Sequence, residues 1–493
     1  MLLSKSDYLL YLKHPAWLWL KKHDKSKLPP MTDNTQAVLD AGNLFESYAE
    51  RLFPDGIRLG FTDYASYLAL PGQTMEALLG GAKTIFQARF ATEQFTCICD
   101  IISVVGDRQL DLYEIKSSTA AKPEHIIDLA FQAHVLEGCG FAVRNVYVVH
   151  VNNTYVRNGE INPNDFCKVA DVTDKVTAKK AYTDEHILKA LDTLQQTEMP
   201  NLSPALAGNG AIKDWLAIFK SIVTPPKGSI YELCSISANT VEQLESIGVE
   251  LIKDIPGDFH LTTAQALQVN ATKLNQQLID EAAIRKLLSS YSYPIYFLDY
   301  ETFASIVPPF DGLRPYQQLP FQYSLHILDS PDGKLRHEEY LHREGSNPAK
   351  PLAEALRRHI GDAGSVLAWN DSFEKTKNST LAELVPELRD FLHGVNDRMQ
   401  DLKLPFSKGW FVDKDFCGSA SIKNVLPVLI PTLSYAELGI HEGGSAQRLW
   451  MQAVIDGKDS IDKEIMFADL LEYCQLDTLA MVEIFNVLRK LVG

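Results

Sequence analysis

The stretch Tyr296–Phe303, YFLDYETF, ends an apolar run with two acids that lie two residues apart. Asp299 and Glu301 share one face of the strand that this run predicts, because alternate residues of a strand point to the same side. Residues 295–298 are all apolar or aromatic, so the strand is expected to be buried at its centre and acidic at its end. The stretch therefore predicts a buried strand at whose end carboxylates can converge.

Two later motifs supply further acids at comparable positions. Glu374 ends the segment NDSFE, where the apolar strand SVLAWN runs out and a helix begins. Tyr473 and Asp477 lie four residues apart on the long C-terminal helix, and at that spacing both project from one face. We therefore expect the acids of the three motifs to meet at one site.

Four converging carboxylates favour divalent cations as their partners. A buried carboxylate without a partner is costly, and several would repel one another. Mg²⁺ and Mn²⁺ prefer oxygen ligands, and two such ions about 4 Å apart can hold both the attacking and the leaving oxygen in phosphoryl transfer. The motifs therefore predict a site for two Mg²⁺ or Mn²⁺ ions, with Tyr473 orienting the attacking water.

Residues 292–490 resemble the DnaQ-like (DEDDy) exonucleases, which have the RNase H-like fold. The family's Asp-x-Glu, Asn-x-x-Phe-Asp and Tyr-x-x-x-Asp motifs match the three motifs of this chain in order. The resemblance implies a 3′–5′ exonuclease centre in which Tyr473 is catalytic. It also implies four metal ligands: Asp299, Glu301, Glu374 and Asp477. Glu374 departs from the pattern, in which Asp is usual, and its longer side chain can change the spacing of the ions.

A second group of charged residues lies in QFTCICDIISVVGDRQLDLYEIKSST, residues 94–119. A Gly-Asp turn separates two strand-like runs, which predicts a β-hairpin. Asp100 lies on the first strand, and Glu114 and Lys116 face one side of the second. The two acids are therefore candidates to hold a divalent ion. Lys116 is a candidate to orient the attacking water or to stabilise the charge that develops on a phosphate.

This arrangement resembles the PD-(D/E)xK nuclease signature, and the first half of the chain resembles the RecB-like members of that class. An isolated Glu-x-Lys pair on a strand is more simply a surface salt bridge. Here, however, Glu46 on an upstream helix and Gln132 on a downstream helix follow the RecB-like order. The resemblance implies one or two Mg²⁺ or Mn²⁺ ions held by Glu46, Asp100 and Glu114, with Lys116 and Gln132 as catalytic residues.

The opening LSKSDYLLYLKHPAWLWL resembles RecB-like nucleases of the CRISPR-adaptation type, in which four cysteines bind an iron–sulfur cluster. His14 stands at the first cysteine position, and residues 203–219 contain no cysteine where the others are expected. We therefore expect no iron–sulfur cluster, and we expect packing alone to hold this region together.

The length and composition are those of a globular protein with several domains. The chain has 493 residues, is 46% hydrophobic and carries a net charge of −16. That charge argues against nucleic-acid binding through a broad basic surface, although a local basic groove is compatible with it. No run reaches the roughly 18–20 apolar residues that span a bilayer, and the N-terminus lacks the cleavage site of a signal peptide. We expect a cytoplasmic protein without membrane contact.

A Pro-Pro-Lys-Gly breaker and a capped helical stretch divide the chain. We predict an α/β protein with a RecB-like PD-(D/E)xK domain of restriction-endonuclease-like fold over residues 1–225. A helical connector with a helix-hairpin-helix-like turn follows over 226–290, and a DnaQ-like domain of RNase H-like fold over 291–493. This layout resembles a bacterial family of uncharacterised two-nuclease proteins, which residues 418–438 also fit.

The leading hypothesis from the sequence is a metal-dependent nuclease with two centres, one removing nucleotides from a 3′ end and one cutting DNA. Its partners would be nucleic acid, with DNA preferred over RNA, and proteins of an assembly for DNA repair or for defence against foreign DNA. Two alternatives remain open: an RNA 3′–5′ exonuclease, and a non-catalytic subunit with decayed centres that binds nucleic acid or a protein partner.

Overall fold

The protein has a mixed α/β structure, in agreement with the fold class that the sequence predicts. The computed structural model describes residues 1–493 apart from Asn209, Ala436, Glu437, His441 and Asp459. The chain forms two compact units. The first comprises Met1–Pro225, Ser237–Glu242 and Ile306–Tyr316, and the second comprises Pro226–Ile236, Gln243–Ser305 and Gln317–Gly493. None of the helices among the described residues has the length and apolar character that crossing a membrane would need.

The described part of the first unit contains a seven-stranded sheet in which β2, β3, β4, β5, β6 and β7 are neighbours in that order and β1 pairs with β4. Its strands are β1 (Leu3–Ser4), β2 (Ile57–Arg58), β3 (Thr84–Ala91), β4 (Phe95–Gly106), β5 (Gln109–Lys116), β6 (Ala142–Val151) and β7 (Cys167–Asp171). Its α-helices are α1 (Lys5–Lys13), α2 (Pro15–His23), α3 (Asp33–Glu50), α4 (Tyr64–Leu79), α5 (Pro123–Gly138), α6 (Pro163–Phe166), α7 (Thr173–Gln195) and α8 (Ile212–Val223).

The predicted hairpin is present as β4 and β5, which pair in antiparallel fashion. Strand β5 then pairs in parallel with β6, and helix α5 forms the connection between them. Alternate residues of β5 face the apolar core that includes Leu129 of α5, and Leu110 and Leu112 are among them. Because side chains alternate along a strand, Glu114 and Lys116 project from this same face. The fold thus brings the charged end of β5 to helix α5.

His14 is built into the packing of the first unit. Its ring is fully buried and stacks on Trp215 of α8, with ring centroids 3.8 Å apart. Its Nδ1 accepts a hydrogen bond from the Ala16 amide at the start of α2, and its Nε2 donates to the Ser203 carbonyl at 3.0 Å. Both ring nitrogens are therefore used by the neutral imidazole.

Acid is expected to destabilise the first unit through His14. Burial lowers the pKa of His14 from 6.5 to about 4, so in this range the unfolded chain binds a proton that the folded chain does not. Its contribution to stability is complete above the unfolded pKa and is lost as the pH falls from about 6.5 towards 4. Urea unfolding should show a loss between pH 7 and pH 5 that is about 2 kcal/mol larger in the wild type than in His14→Asn. Equal losses in the two proteins would contradict this account.

The described part of the second unit contains a five-stranded sheet with the order β11, β10, β9, β12, β13, and a separate pair formed by β14 and β8. Its strands are β8 (Leu278–Ile279), β9 (Ile295–Phe303), β10 (Leu319–Leu328), β11 (Leu335–Leu341), β12 (Ser365–Ala368), β13 (Met399–Asp401) and β14 (Phe411–Val412). Helix α9 (Ala238–Ser246) has residues in both units. The other α-helices of the second unit are α10 (Thr263–Leu274), α11 (Glu281–Leu288), α12 (Ala349–His359), α13 (Asp371–Leu384), α14 (Arg389–Asp397), α15 (Leu404–Ser407), α16 (Ile422–Leu429), α17 (Gly443–Trp450) and α18 (Lys463–Val492).

Strand β9 lies at the centre of this sheet, antiparallel to β10 and parallel to β12. Phe297 on one face of β9 packs edge-on against Phe485 of α18, with centroids 5.5 Å apart. Tyr300 projects from the other face, and its hydroxyl donates to Asn378 of α13 at 2.7 Å. Because alternate residues share a face, Asp299 and Glu301 lie on the side of Phe297, towards α18. The parallel partner β12 ends at the same edge of the sheet as β9.

Candidate metal centre

Three carboxylates of the second unit form a compact group. Asp299 and Glu301 come from β9 and Asp477 from α18, and one carboxylate oxygen from each lies within 4.8 Å of those from both of the others. Glu301 and Asp477 are buried, and Asp299 is partly buried. Among the described residues this is the one group of three or more His, Cys, Asp or Glu side chains placed to share a metal ion. The three acids that the sequence predicts from two distant motifs therefore do meet.

Crowding and burial make the charged form of these acids costly. Burial, followed by the charges of Asp477, Glu374 and Glu301, raises the pKa of Asp299 well above its ordinary value. Burial and the charge of Asp477 raise the pKa of Glu301 to about 8. Burial raises the pKa of Asp477 to about 6, against the hydrogen bond from Tyr435 and the charge of Lys423. A divalent cation would remove this penalty, because it supplies the positive charge that several ionised carboxylates need.

Glu374 lies on the first turn of α13, after β12, and is outside the group of three. Its side chain is nevertheless buried, and its Oε2 has no hydrogen-bond partner. Burial raises the pKa of Glu374 to about 8, and its charge in turn raises the pKa of Asp299. An unpartnered buried carboxylate oxygen beside three clustered acids is what a fourth ligand requires, so the donor set fits Mg²⁺ or Mn²⁺.

Two tyrosines and a lysine border the carboxylates. Tyr473 lies one helical turn before Asp477, and burial followed by the charges of Asp477, Glu301 and Asp299 raises the pKa of its phenol, which keeps its O–H proton. The Tyr435 hydroxyl donates to Oδ1 of Asp477 at 2.6 Å. The Nζ of Lys423 lies 5.3 Å from the centroids of both tyrosine rings. The sequence predicts Tyr473 here, whereas Tyr435 and Lys423 are found only in the structure.

Buried polar contacts hold α18 against the sheet at the level of the acids. The hydroxyl of Thr478, the residue after Asp477, lies 2.6 Å from Ser324 Oγ and 2.8 Å from His326 Nδ1 of β10. Gln322 of the same strand donates to the Leu470 carbonyl at 2.7 Å. Ser324 is the register partner of Asp299 in the β9–β10 ladder. Because β10 is paired with β9, these contacts also fix β9, which carries Asp299 and Glu301, relative to α18, which carries Asp477.

In the first unit, Glu114 is the centre of a second cluster. Its Oε1 accepts from Lys5 and Lys116 at 2.7 and 2.8 Å, and its Oε2 accepts from Gln132 at 2.7 Å. Lys116 and Gln132 also donate to Asp128 of α5, at 2.7 and 2.9 Å. The predicted residues Glu114, Lys116 and Gln132 are therefore brought together, with Lys5 and Asp128 as members that the sequence does not predict.

Asp100 lies beside this cluster, and its Oδ2 accepts from the Ile115 amide at 2.8 Å. Burial and the charge of Glu114 raise the pKa of Asp100 to about 7. Glu46 lies in a different set of contacts: its Oε1 accepts from Gln87 at 2.8 Å and from Arg58 at 3.2 Å. The charges of Asp100 and Glu114 therefore interact, whereas Glu46 is bound to side chains outside this cluster.

The donor set of the first unit does not fit a divalent cation in its described arrangement. Both oxygens of Glu114 already accept hydrogen bonds, and two of the donors are ammonium groups. Burial by itself disfavours the Glu114 carboxylate, but Lys5 and Lys116 hold its pKa well below the ordinary value. Positive charge is thus supplied by lysines at this cluster, and a metal ion would have to displace them.

The residues that the sequence does not predict carried uneven signals. Asp128 lies four residues before the predicted Gln132 on α5, a spacing that places the two polar side chains on one helical face. Tyr435 and Lys423 fall in residues 418–438, a segment assigned no chemistry from the sequence. Lys5 is 109 positions from Glu114, and no local pattern joins the two. Of these residues, only Asp128 could have been found from its spacing in the sequence.

Comparison with known proteins gives matches whose functions are not described. Residues 296–421 match a protein family described as a domain of unknown function (DUF2779). The uncharacterized protein UU173 of Ureaplasma parvum is 25% identical over 263 residues, which are 49% of this chain and 38% of that protein. The uncharacterized protein MG366 homolog of Mycoplasma pneumoniae is 27% identical over 207 residues, 38% of this chain and 31% of that protein. The matches thus cover less than half the length of either relative, and the family match begins on β9 and contains Asp299, Glu301 and Glu374.

Proposed function

We propose that the second unit is a divalent-metal-dependent nuclease centre that removes nucleotides from the 3′ end of a strand. The convergence of Asp299, Glu301 and Asp477 is the observation that carries the proposal. These acids, with the unpartnered Oε2 of Glu374, form the all-oxygen donor set that Mg²⁺ and Mn²⁺ favour. The central, acid-bearing strand of a mixed five-stranded sheet supports an RNase H-like fold for this unit.

Each side chain of the centre has a task in such a reaction. Asp299, Glu301, Glu374 and Asp477 would hold the metal ions. The ions, when bound, would polarise the phosphate and lower the pKa of bound water. The protonated Tyr473 hydroxyl would orient the attacking water by hydrogen bonding. Tyr435 donates to Asp477 and so holds that carboxylate in one orientation.

A second proposal concerns the first unit. The convergence of Glu114, Lys116 and Gln132 with Asp100 beside them supports a RecB-like PD-(D/E)xK fold for this unit. Because Lys5 and Lys116 already neutralise Glu114, metal-dependent cleavage of DNA is not proposed for it.

A substrate panel tests the proposal for the second unit. Single-stranded DNA, duplex DNA and RNA, each labelled at the 5′ end, are incubated with the full chain in Mn²⁺, in Mg²⁺ and in EDTA. The second-unit proposal expects progressive shortening from the 3′ end in either metal and none in EDTA. Shortening of RNA alone would assign the RNA exonuclease instead. Binding of the strands without any cleavage would assign a non-catalytic nucleic-acid-binding protein.

A further inference from the structure

Lys423 lies on an anchored stretch of backbone beside the candidate metal centre. It lies near the start of α16, whose Val425 and Leu426 are fully buried in the core that includes Ala480 of α18. The Ala420 carbonyl, just before this helix, accepts a hydrogen bond from the indole N–H of Trp369 at 3.0 Å. The backbone on both sides of Lys423 is therefore anchored, and its side chain extends from a rigid base.

The ammonium group combines exposure with closeness to buried acids. Lys423 is exposed, whereas Glu301 and Asp477 are more than nine-tenths buried. Its Nζ lies 5.3 Å from the ring centroids of both Tyr435 and Tyr473, within the range of cation–π attraction. Its charge acts on the carboxyl groups of Glu301 and Asp477. An exposed positive side chain thus lies beside the tyrosines that border the carboxylates, and its charge acts on two of these acids.

We propose that Lys423 binds a backbone phosphate of the nucleic-acid strand at the metal centre and thereby places the scissile bond over the carboxylates. This inference rests on the proposed nuclease function and adds a substrate-binding residue to it. Lysine binds phosphate as a point charge and donates up to three hydrogen bonds. A strand that enters an acidic site is repelled by it, and an exposed ammonium at the entrance offsets that repulsion.

A structural role for Lys423 leads to different expectations. If its charge only offset the acids within the fold, its loss would weaken the folded site as a whole and with it the binding of any metal. If it binds substrate phosphate, its loss removes positive charge from beside the metal ligands, so metal affinity is kept or increased while strand affinity falls. The two roles therefore predict opposite changes in Mn²⁺ affinity.

The test compares the full-length wild type with Lys423→Gln, Lys423→Arg and Lys286→Ala, the last being an exposed lysine of α11. Binding of short 5′-fluorescein-labelled DNA and RNA strands is measured by anisotropy in Ca²⁺ over a series of NaCl concentrations. Mn²⁺ binding is measured by calorimetry. We expect Lys423→Gln to weaken strand binding about fivefold and to reduce the slope of log affinity against log salt by about 0.7 to 1. Mn²⁺ affinity should not fall, Lys423→Arg should restore most of the strand affinity, and Lys286→Ala should match the wild type.

Each outcome of this experiment decides something. Wild-type strand affinity and salt slope in Lys423→Gln would overturn the phosphate role while leaving the nuclease proposal intact, provided that the wild type cleaves. Parallel losses of strand and Mn²⁺ affinity would overturn it in favour of a structural role. A wild type that neither binds nor cleaves any strand would overturn the proposed function and this inference with it.

Discussion

Asp299→Asn is expected to abolish the proposed nuclease activity, with the initial rate on the preferred strand falling by about three orders of magnitude or more. Asp299 is the acid whose pKa is raised by the charges of all three others, so its charge interacts with each of them. The amide keeps the shape of the side chain but cannot supply an anionic ligand, and metal assistance of phosphoryl transfer is worth several kcal/mol. Initial rates in Mn²⁺ and in Mg²⁺ give the measurement.

The same variant should not lose stability. Asp299 lies among buried acids that repel one another when no metal is bound, so removal of its charge should leave the melting temperature in EDTA unchanged or higher. Asp329→Asn, the same exchange at an exposed position beside β10, serves as the matched control and should keep wild-type activity. If Asp299→Asn cleaved at the wild-type rate, this centre would take no part in the reaction. A marked fall in the melting temperature of the variant would assign Asp299 a structural role.

Glu114→Ala is expected to destabilise the first unit by about 3–5 kcal/mol. Glu114 is almost fully buried and accepts hydrogen bonds from two ammonium groups and one amide. Its removal leaves Lys5 and Lys116 close together without this partner, and breaking a buried ion pair costs far more than the pair contributes. Urea unfolding at neutral pH measures the change.

Two further variants sharpen this prediction. Glu124→Ala removes an exposed acid from the same unit and should change stability by no more than about 0.5 kcal/mol. Lys5→Met combined with Glu114→Ala should recover part of the loss, because it removes one of the two stranded charges. A loss below about 1 kcal/mol in Glu114→Ala would mean that the cluster is hydrated and open, and would reopen it as a candidate metal site.

Reasoning from the sequence was most effective where the residues of one motif share one element. Asp299 and Glu301 lie on one strand, and Tyr473 and Asp477 on one helix, so the periods of strand and helix fixed their common faces in advance. The hairpin that carries Asp100 and Glu114 was predictable for the same reason, since its turn and its alternation are local.

Partners from distant parts of the chain were beyond such reasoning. Lys5 reaches Glu114 because β1 pairs in parallel with β4, a register that no local pattern encodes. Tyr435 reaches Asp477 across a core that includes residues of α16 and α18, and no local pattern joins the two. The position of Glu374 was only partly predictable: its motif placed it where a helix follows a strand, but the reach of its side chain towards the other acids depends on how β12 and α13 are placed.

Anomalous diffraction from crystals soaked in Mn²⁺ tests whether Asp299, Glu301 and Asp477 hold divalent cations. We expect at least one anomalous peak in contact with oxygens of these three carboxylates in the wild type, and no such peak in Asp299→Asn crystals soaked in the same way. A wild-type map with these carboxylates well ordered and no peak between them at millimolar Mn²⁺ would contradict this expectation.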